Sequence, residues 1–154
     1  MKKFLAVLIL AGVVGAPSAW AQSEDAAIRL TRSAVQAERQ ALIATNLGLT
    51  DDEKPIFWPL YAEYRSAMDQ IADDKVELFE RFFASYETVT DDEAMSLLEK
   101  HFAIKARVLE VQKTYAKKMG KVLPGRTVAR FFQIENKMDT IVDYEIAGEF
   151  PLIK

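Results

Sequence analysis

TDDEAMSLLEKHFAIKARVLEVQKTYAKKMGK, Thr90 to Lys121, decides the fold class. Thr90 and Glu93 stand three apart, so the threonine hydroxyl can accept from the Glu93 amide while the Glu93 carboxylate reaches back to the Thr90 amide, a capping box that starts a helix. Asp91 and Asp92 between them suit the positive end of the helix dipole. From there Leu97, His101, Ile104, Val108, Val111, Tyr115, Met119 and Val122 recur at steps of three and four residues. That period belongs to an amphipathic helix and predicts one over 91–121.

The same box stands forty positions earlier as Thr50-Asp51-Asp52-Glu53. It opens a helix predicted over 51–85, whose stripe is Ile56, Leu60, Tyr64, Met68, Ile71, Leu78, Phe82 and Tyr86. Pro55 and Pro59 interrupt its start, and Pro59 lies far enough inside to bend it. Before it, Ile28, Val35, Leu42 and Leu49 recur every seven residues among alanines, a narrow stripe suited to one partner helix. They predict a helix over 24–46, with Ser23 as N-cap and Asn46 and Gly48 as the stop. After Pro124-Gly125 a fourth helix is expected over 127–147, carrying Val128, Phe131, Phe132, Met138, Ile141 and Val142 and ended by Gly148. A tail, 149–154, keeps Phe150, Leu152 and Ile153, which are apolar enough to dock in a groove or on a partner. No stretch alternates long enough to be a strand. The expectation is all-α: four amphipathic helices in a long, hairpin-like, elongated bundle.

The first 21 residues read as an export signal: Lys2 and Lys3, the apolar run Phe4 to Leu10, and Ala19-Trp20-Ala21 as a small-residue cleavage site. The run is too short to span a bilayer, which needs roughly 20 apolar residues. Cleavage is expected near Ala21, leaving residues 22–154 as one helical domain outside the cytoplasm, in the periplasm. The chain holds 20 basic and 23 acidic residues; without Lys2 and Lys3 the balance is 18 against 23, a net charge of −5. A mildly acidic domain is no dedicated nucleic-acid binder, whose affinity rests on clustered cations. The absence of cysteine removes disulfides and thiolate chemistry. With one histidine and no glycine-rich phosphate loop, carboxylates and hydroxyls alone remain for catalysis, so no enzyme and no cofactor are expected.

Three groups of residues are candidates for function. The aromatics come in pairs, Phe57-Trp58, Phe82-Phe83 and Phe131-Phe132, with Tyr61 one turn from the first. Neighbours on a helix point about 100° apart, so both rings of a pair do not enter one narrow seam. Surplus rings suit a second subunit or polypeptide clients. Between Lys100 and Arg130 nine basic residues face Glu110 alone, a local charge of +8. Lys113, Lys117, Lys118, Arg126 and Arg130 are the members expected to steer an acidic partner, a client or an anionic membrane surface, although lysines near the end of a helix also serve its dipole. His101, the sole imidazole, reads first as a half-buried histidine on an apolar stripe and second as a zinc or copper ligand with Asp and Glu partners. Asp69, Asp73 and Glu77 line one helical face at four-residue steps and repel one another unless a cation, or Arg65 and Lys75 nearby, relieves them.

Leu49-Thr50-Asp51-Asp52-Glu53 after a short amphipathic helix, in an exported, cysteine-free, four-helix chain, resembles the Spy/CpxP family of periplasmic proteins, whose signature is LTxxQ. Glu53 stands where that signature has glutamine, and either residue completes the cap. At the place of the family's second signature, Leu123-Pro124-Gly125-Arg126-Thr127, only Leu123 matches. The resemblance implies a hairpin-like subunit that forms a cradle-shaped homodimer and acts as an ATP-independent chaperone, or as a stress sensor restraining an envelope signalling kinase; a related branch binds zinc. The primary expectation is a periplasmic chaperone holding unfolded or stress-exposed polypeptides. The alternatives are a metal-responsive sensor or resistance accessory protein and a non-catalytic envelope interaction module.

Overall fold

The computed structural model describes residues 35–153. The expected export signal over 1–21, the expected Ser23 cap and the predicted start of the first helix lie outside the described residues. Contacts divide the chain into residues 1–40 and 41–154, and the second unit holds the last turns of the first helix and all of the other three. Four helices and no strand occur among the described residues: α1 over 35–47, α2 over Lys54–Ser85, α3 over Asp91–Met119 and α4 over Gly125–Glu149. None of them is long and apolar enough to cross a membrane.

Each boundary has a local cause. Gly48, at φ 70°, adopts the left-handed conformation that ends α1, while Asn46 Nδ2 donates to the Leu42 carbonyl at 2.7 Å. The Thr50 box forms as expected: the Thr50 amide donates to Glu53 Oε2 at 3.0 Å and the Glu53 amide to Thr50 Oγ1 at 3.2 Å. Residues 51–53 are nevertheless a turn, and α2 proper starts at Lys54. Pro55 has no N–H to donate to the Asp51 carbonyl, so the ladder is interrupted there and regular helix runs only from Lys54. At Thr90 the box sits directly on α3, with both reciprocal bonds made. The expected end of α3 at Lys121 comes two residues early, at Met119. The fourth helix is longer than expected at both ends: Pro124 serves as its N-cap, Gly125 is its first residue, and Gly148 lies inside it. A glycine lowers helix stability without ending a helix whose neighbours still bond.

Contacts between helices give the topology. On α2 and α3, Glu63 pairs with Lys118, Tyr64 packs on Tyr115, and Asp74 pairs with Arg107, so numbers rise on one as they fall on the other. These two long helices are an antiparallel hairpin. On α2 and α4, Arg65 meets Glu135 and Lys75 meets Asp143, and Phe82 meets Phe150 just past α4, so those helices run the same way. At 32 residues, α2 is about 48 Å long and forms the spine.

The main core lies where α2 begins. Ile43, Leu47, Phe57, Tyr61, Tyr64, Tyr115, Met119, Leu123, Val128 and Phe131 form one buried cluster drawn from all four helices and the α3–α4 link. Ring pairs knit it together: Phe57 meets Phe131 edge-on at 5.3 Å and Tyr64 meets Phe131 at 5.5 Å. The predicted stripe of α2 is rotated here. Ile56 is exposed and Leu60 half-buried, while Phe57 and Tyr61 take the interior. Aromatic faces bury more area than an isoleucine and a leucine, so the rings define the inner side.

Candidate functional site

Of the seven rings expected to meet clients, Phe57, Tyr61 and Phe131 are 1%, 5% and 0% exposed and are core residues of this fold. Trp58 and Phe132 are half-buried against the same cluster. Phe82 and Phe83 stand elsewhere, near the end of α2, with Phe82 half-buried and Phe83 44% exposed. There the rings form a second, smaller group. Phe150, just past α4, touches Phe79 at 4.6 Å, Phe82 at 5.1 Å and Phe83 at 4.7 Å, and Tyr86 stacks on Phe82 at 5.9 Å. Part of the tail docks, as its composition suggests, while Leu152 remains 88% exposed.

The five cations expected to steer a partner lie near the other end of α2. Lys118 pairs with Glu63 at 3.2 Å, which raises its pKa, and sits over the Tyr115 ring. Lys113 pairs with Glu110 at 3.1 Å. Arg130 Nε donates to the Asn46 carbonyl at 2.8 Å, satisfying an end group of α1. Lys117 and Arg126 are exposed. These cations and the Phe82–Phe83 pair therefore do not share one face, and the rings beside the cations are internal.

An apolar and basic face does form on α3, from residues the single-stripe reading passed over. Met95, Leu98, Phe102 and Leu109 are 56%, 42%, 59% and 49% exposed. Their spacings of three, four and seven place them on one side of the helix, about a third of a turn from the buried line through Leu97 and Tyr115. Lys105 and Lys113 flank the same side, and both are exposed. The signal was in the sequence, because a second run at helical spacing beside the first one widens the apolar face beyond what a single partner helix covers.

His101 is half-buried on the edge of that face. Burial lowers its pKa first, and Lys105 and Lys75 lower it further, with Asp143 acting against them. Cations around an imidazole oppose a further cation. Among the described residues no three His, Asp or Glu side chains converge to hold a metal ion. The acidic line is relieved in part as expected: Arg65 pairs with Asp69 at 3.3 Å, but Lys75 crosses to Asp143 on α4 at 2.8 Å. Between α2 and α3 lies an open groove of about 210 Å³ where Asp74 and Glu77 face Arg81, Lys100 and Arg107. Its mixed signs select no charged ligand.

Two roles escaped the sequence reading. Glu135 is fully buried and meets Arg65 across the α2–α4 interface. Glu53, read only as a cap, also accepts from Thr127 Oγ1 at 3.0 Å, tying the start of α4 to the start of α2. Its pKa is lowered mainly by the Thr50 amide, with the threonine hydroxyls adding to it.

What these features define is an all-α helical protein with a ring-rich core at one end and an uncovered apolar face along α3. No known protein family, curated protein or solved structure matches the chain.

Proposed function

We propose that this chain is an exported, non-catalytic binding protein that holds unfolded or stress-exposed polypeptides, in the manner the Spy/CpxP resemblance implies, and does so without ATP. One observation carries the reading: Met95, Leu98, Phe102 and Leu109 stand uncovered on α3 beside Lys105 and Lys113. Isolated surface hydrophobes need no explanation, but several on one side of a helix, edged with charge, have the composition of an interaction surface. Dispersed apolar contacts hold a client weakly, and nearby cations speed its arrival, so binding is fast and reversible. The export signal supports a periplasmic setting, where two copies associate and no nucleotide is needed.

The test is suppression of aggregation of a chemically unfolded model protein. Leu98→Ser with Phe102→Ser is expected to lower suppression at least fivefold while leaving helical content unchanged, and glutamine at Lys105 and Lys113 to slow client capture at low salt only. Unchanged suppression in the double serine variant would remove the reading.

A further inference from the structure

The segment after α4 is held in a way that identifies a second site. Helical geometry stops at Phe150, whose backbone is extended at φ −85° and ψ 115° and whose amide makes a 3.4 Å bond to the Ala147 carbonyl. The Phe150 ring lies among Phe79, Phe82 and Phe83, at centroid distances of 4.6 to 5.1 Å. Pro151 is half-buried, and Leu152 and Ile153 project outward at 88% and 46% exposure. The Phe150 ring is therefore the anchor of a segment whose last two described residues stand out in solvent. Lys75 Nζ sits 5.5 Å from the centre of the Phe79 ring, so a cation stands beside this group of rings.

We infer that Phe79, Phe82, Phe83 and Tyr86 form a peptide-docking site of which Phe150 is the resident occupant, and that its external ligand is an extended polypeptide segment presenting a phenylalanine. The site already accepts that side chain, in that backbone conformation, from this chain. Extended segments bearing a lone exposed phenylalanine are what an unfolded polypeptide offers and a folded one hides. A tethered occupant acts at an effective concentration of order mM, so the resident ring shields the pocket until a client competes for it. This inference rests on the proposed function only in taking polypeptide as the ligand, and it concerns a different surface from the α3 face.

The experiment measures binding of a fluorescent peptide, AGEFPLI, copied from residues 147–153, and of its AGEAPLI counterpart, to the full chain and to its Phe150→Ala variant. The variant is expected to bind AGEFPLI saturably and at least tenfold more tightly than the unaltered chain, and neither protein to bind AGEAPLI. Adding Phe83→Ala to the variant is expected to weaken binding at least fivefold. Equal binding by both proteins, or none by a variant of unchanged helical content, overturns the site. Should the variant lose its fold, the unaltered chain labelled with fluorophenylalanine decides: excess AGEFPLI shifts the Phe150 resonance and AGEAPLI does not, and a resonance that stays in place overturns the proposal. Peptide capture without suppression of client aggregation would remove the chaperone reading and leave this site standing. Suppression without peptide capture would do the reverse.

Discussion

Arg65 on α2 and Glu135 on α4 meet at 3.4 Å with the glutamate side chain 1% exposed and the arginine 17%. Position 135 falls four residues after Phe131, on the inward side of α4, where the period calls for an apolar residue. A carboxylate there is tolerated because a guanidinium reaches it from the neighbouring helix, and the same arginine also holds Asp69. The local negative charge is felt nearby: burial raises the Tyr64 hydroxyl pKa far above its ordinary value, and Glu135 and Asp139 raise it further. The pair links the two helices at one register, since a one-residue shift of α4 turns position 135 by about 100° and takes the carboxylate away from Arg65.

Removing only the cation should therefore be costly. Arg65→Met is expected to destabilise the fold by about 3 kcal/mol, because it leaves a charge in the interior without its guanidinium. Replacing both partners, as Arg65→Met with Glu135→Leu, should recover most of that loss, since a buried pair exchanged for apolar groups is often neutral. Urea unfolding of the three proteins checks this. A double variant no more stable than Arg65→Met would show that the pair does not act as a unit.

Glu53 sets a pH dependence whose sign is given by its lowered pKa. Its folded-state value lies below the ordinary 4.5, held there by the Thr50 amide first. The stability it contributes is fully present above the unfolded-state value and is lost as pH falls through the folded one. Glu53→Gln keeps an acceptor for Thr50 and Thr127 but cannot titrate there, so thermal unfolding measured between about pH 5 and pH 3 should fall less steeply than in the unaltered chain. Glu93, lowered by its own Thr90 amide, continues to titrate in that variant, so the slope is reduced and not abolished.

Gly48 is the one described residue with a φ that side chains resist. A methyl group there meets nothing within 4 Å, so the cost of Gly48→Ala is conformational and not steric crowding. It should destabilise by about 1 kcal/mol, the penalty of the left-handed region. Thr90→Ala should cost a similar amount, about 1 kcal/mol, through loss of the α3 cap. Denaturant midpoints measure both, and a neutral Gly48→Ala would show that the α1–α2 link rearranges freely.

Helix identity was legible because the period of 3.6 and the two Thr-x-x-Glu boxes are local signals. What the period left open was rotation. On α2 the line through Ile56 and Leu60 competes with one through Phe57 and Tyr61 about 100° away, and only contact with Phe131 decides between them. The surplus-ring argument failed for Phe57, Tyr61 and Phe131 on that account, since four helices converging at one end have a deeper interior than a thin hairpin. Glu135 sits in the polar-looking stretch Ile134-Glu135-Asn136-Lys137, although its register with Val128 and Phe131 marks an inward position. Helix ends were the other weakness. Gly148 had the form of a stop signal, yet α4 runs through it, and the chain leaves the helix only at Phe150, whose ring is anchored to α2.

The ring residues themselves give the sharpest contrast between structure and surface. Phe131 is fully buried and meets Phe57, Tyr61, Tyr64 and Phe132, so Phe131→Ala opens a cavity at the centre of the cluster. Large-to-small changes of this kind cost about 3–5 kcal/mol. Phe102 is 59% exposed and far along α3 from that core, so Phe102→Ala should change stability by less than about 0.5 kcal/mol. If the α3 face holds clients, the order reverses for function: Phe102→Ala weakens client capture while leaving the melting curve in place, and Phe131→Ala acts on capture only to the extent that it unfolds the chain. Measuring melting temperature and aggregation suppression on the same samples separates the two effects. Equal loss of capture at matched folded fraction would show that α3 contributes no more to binding than the core does.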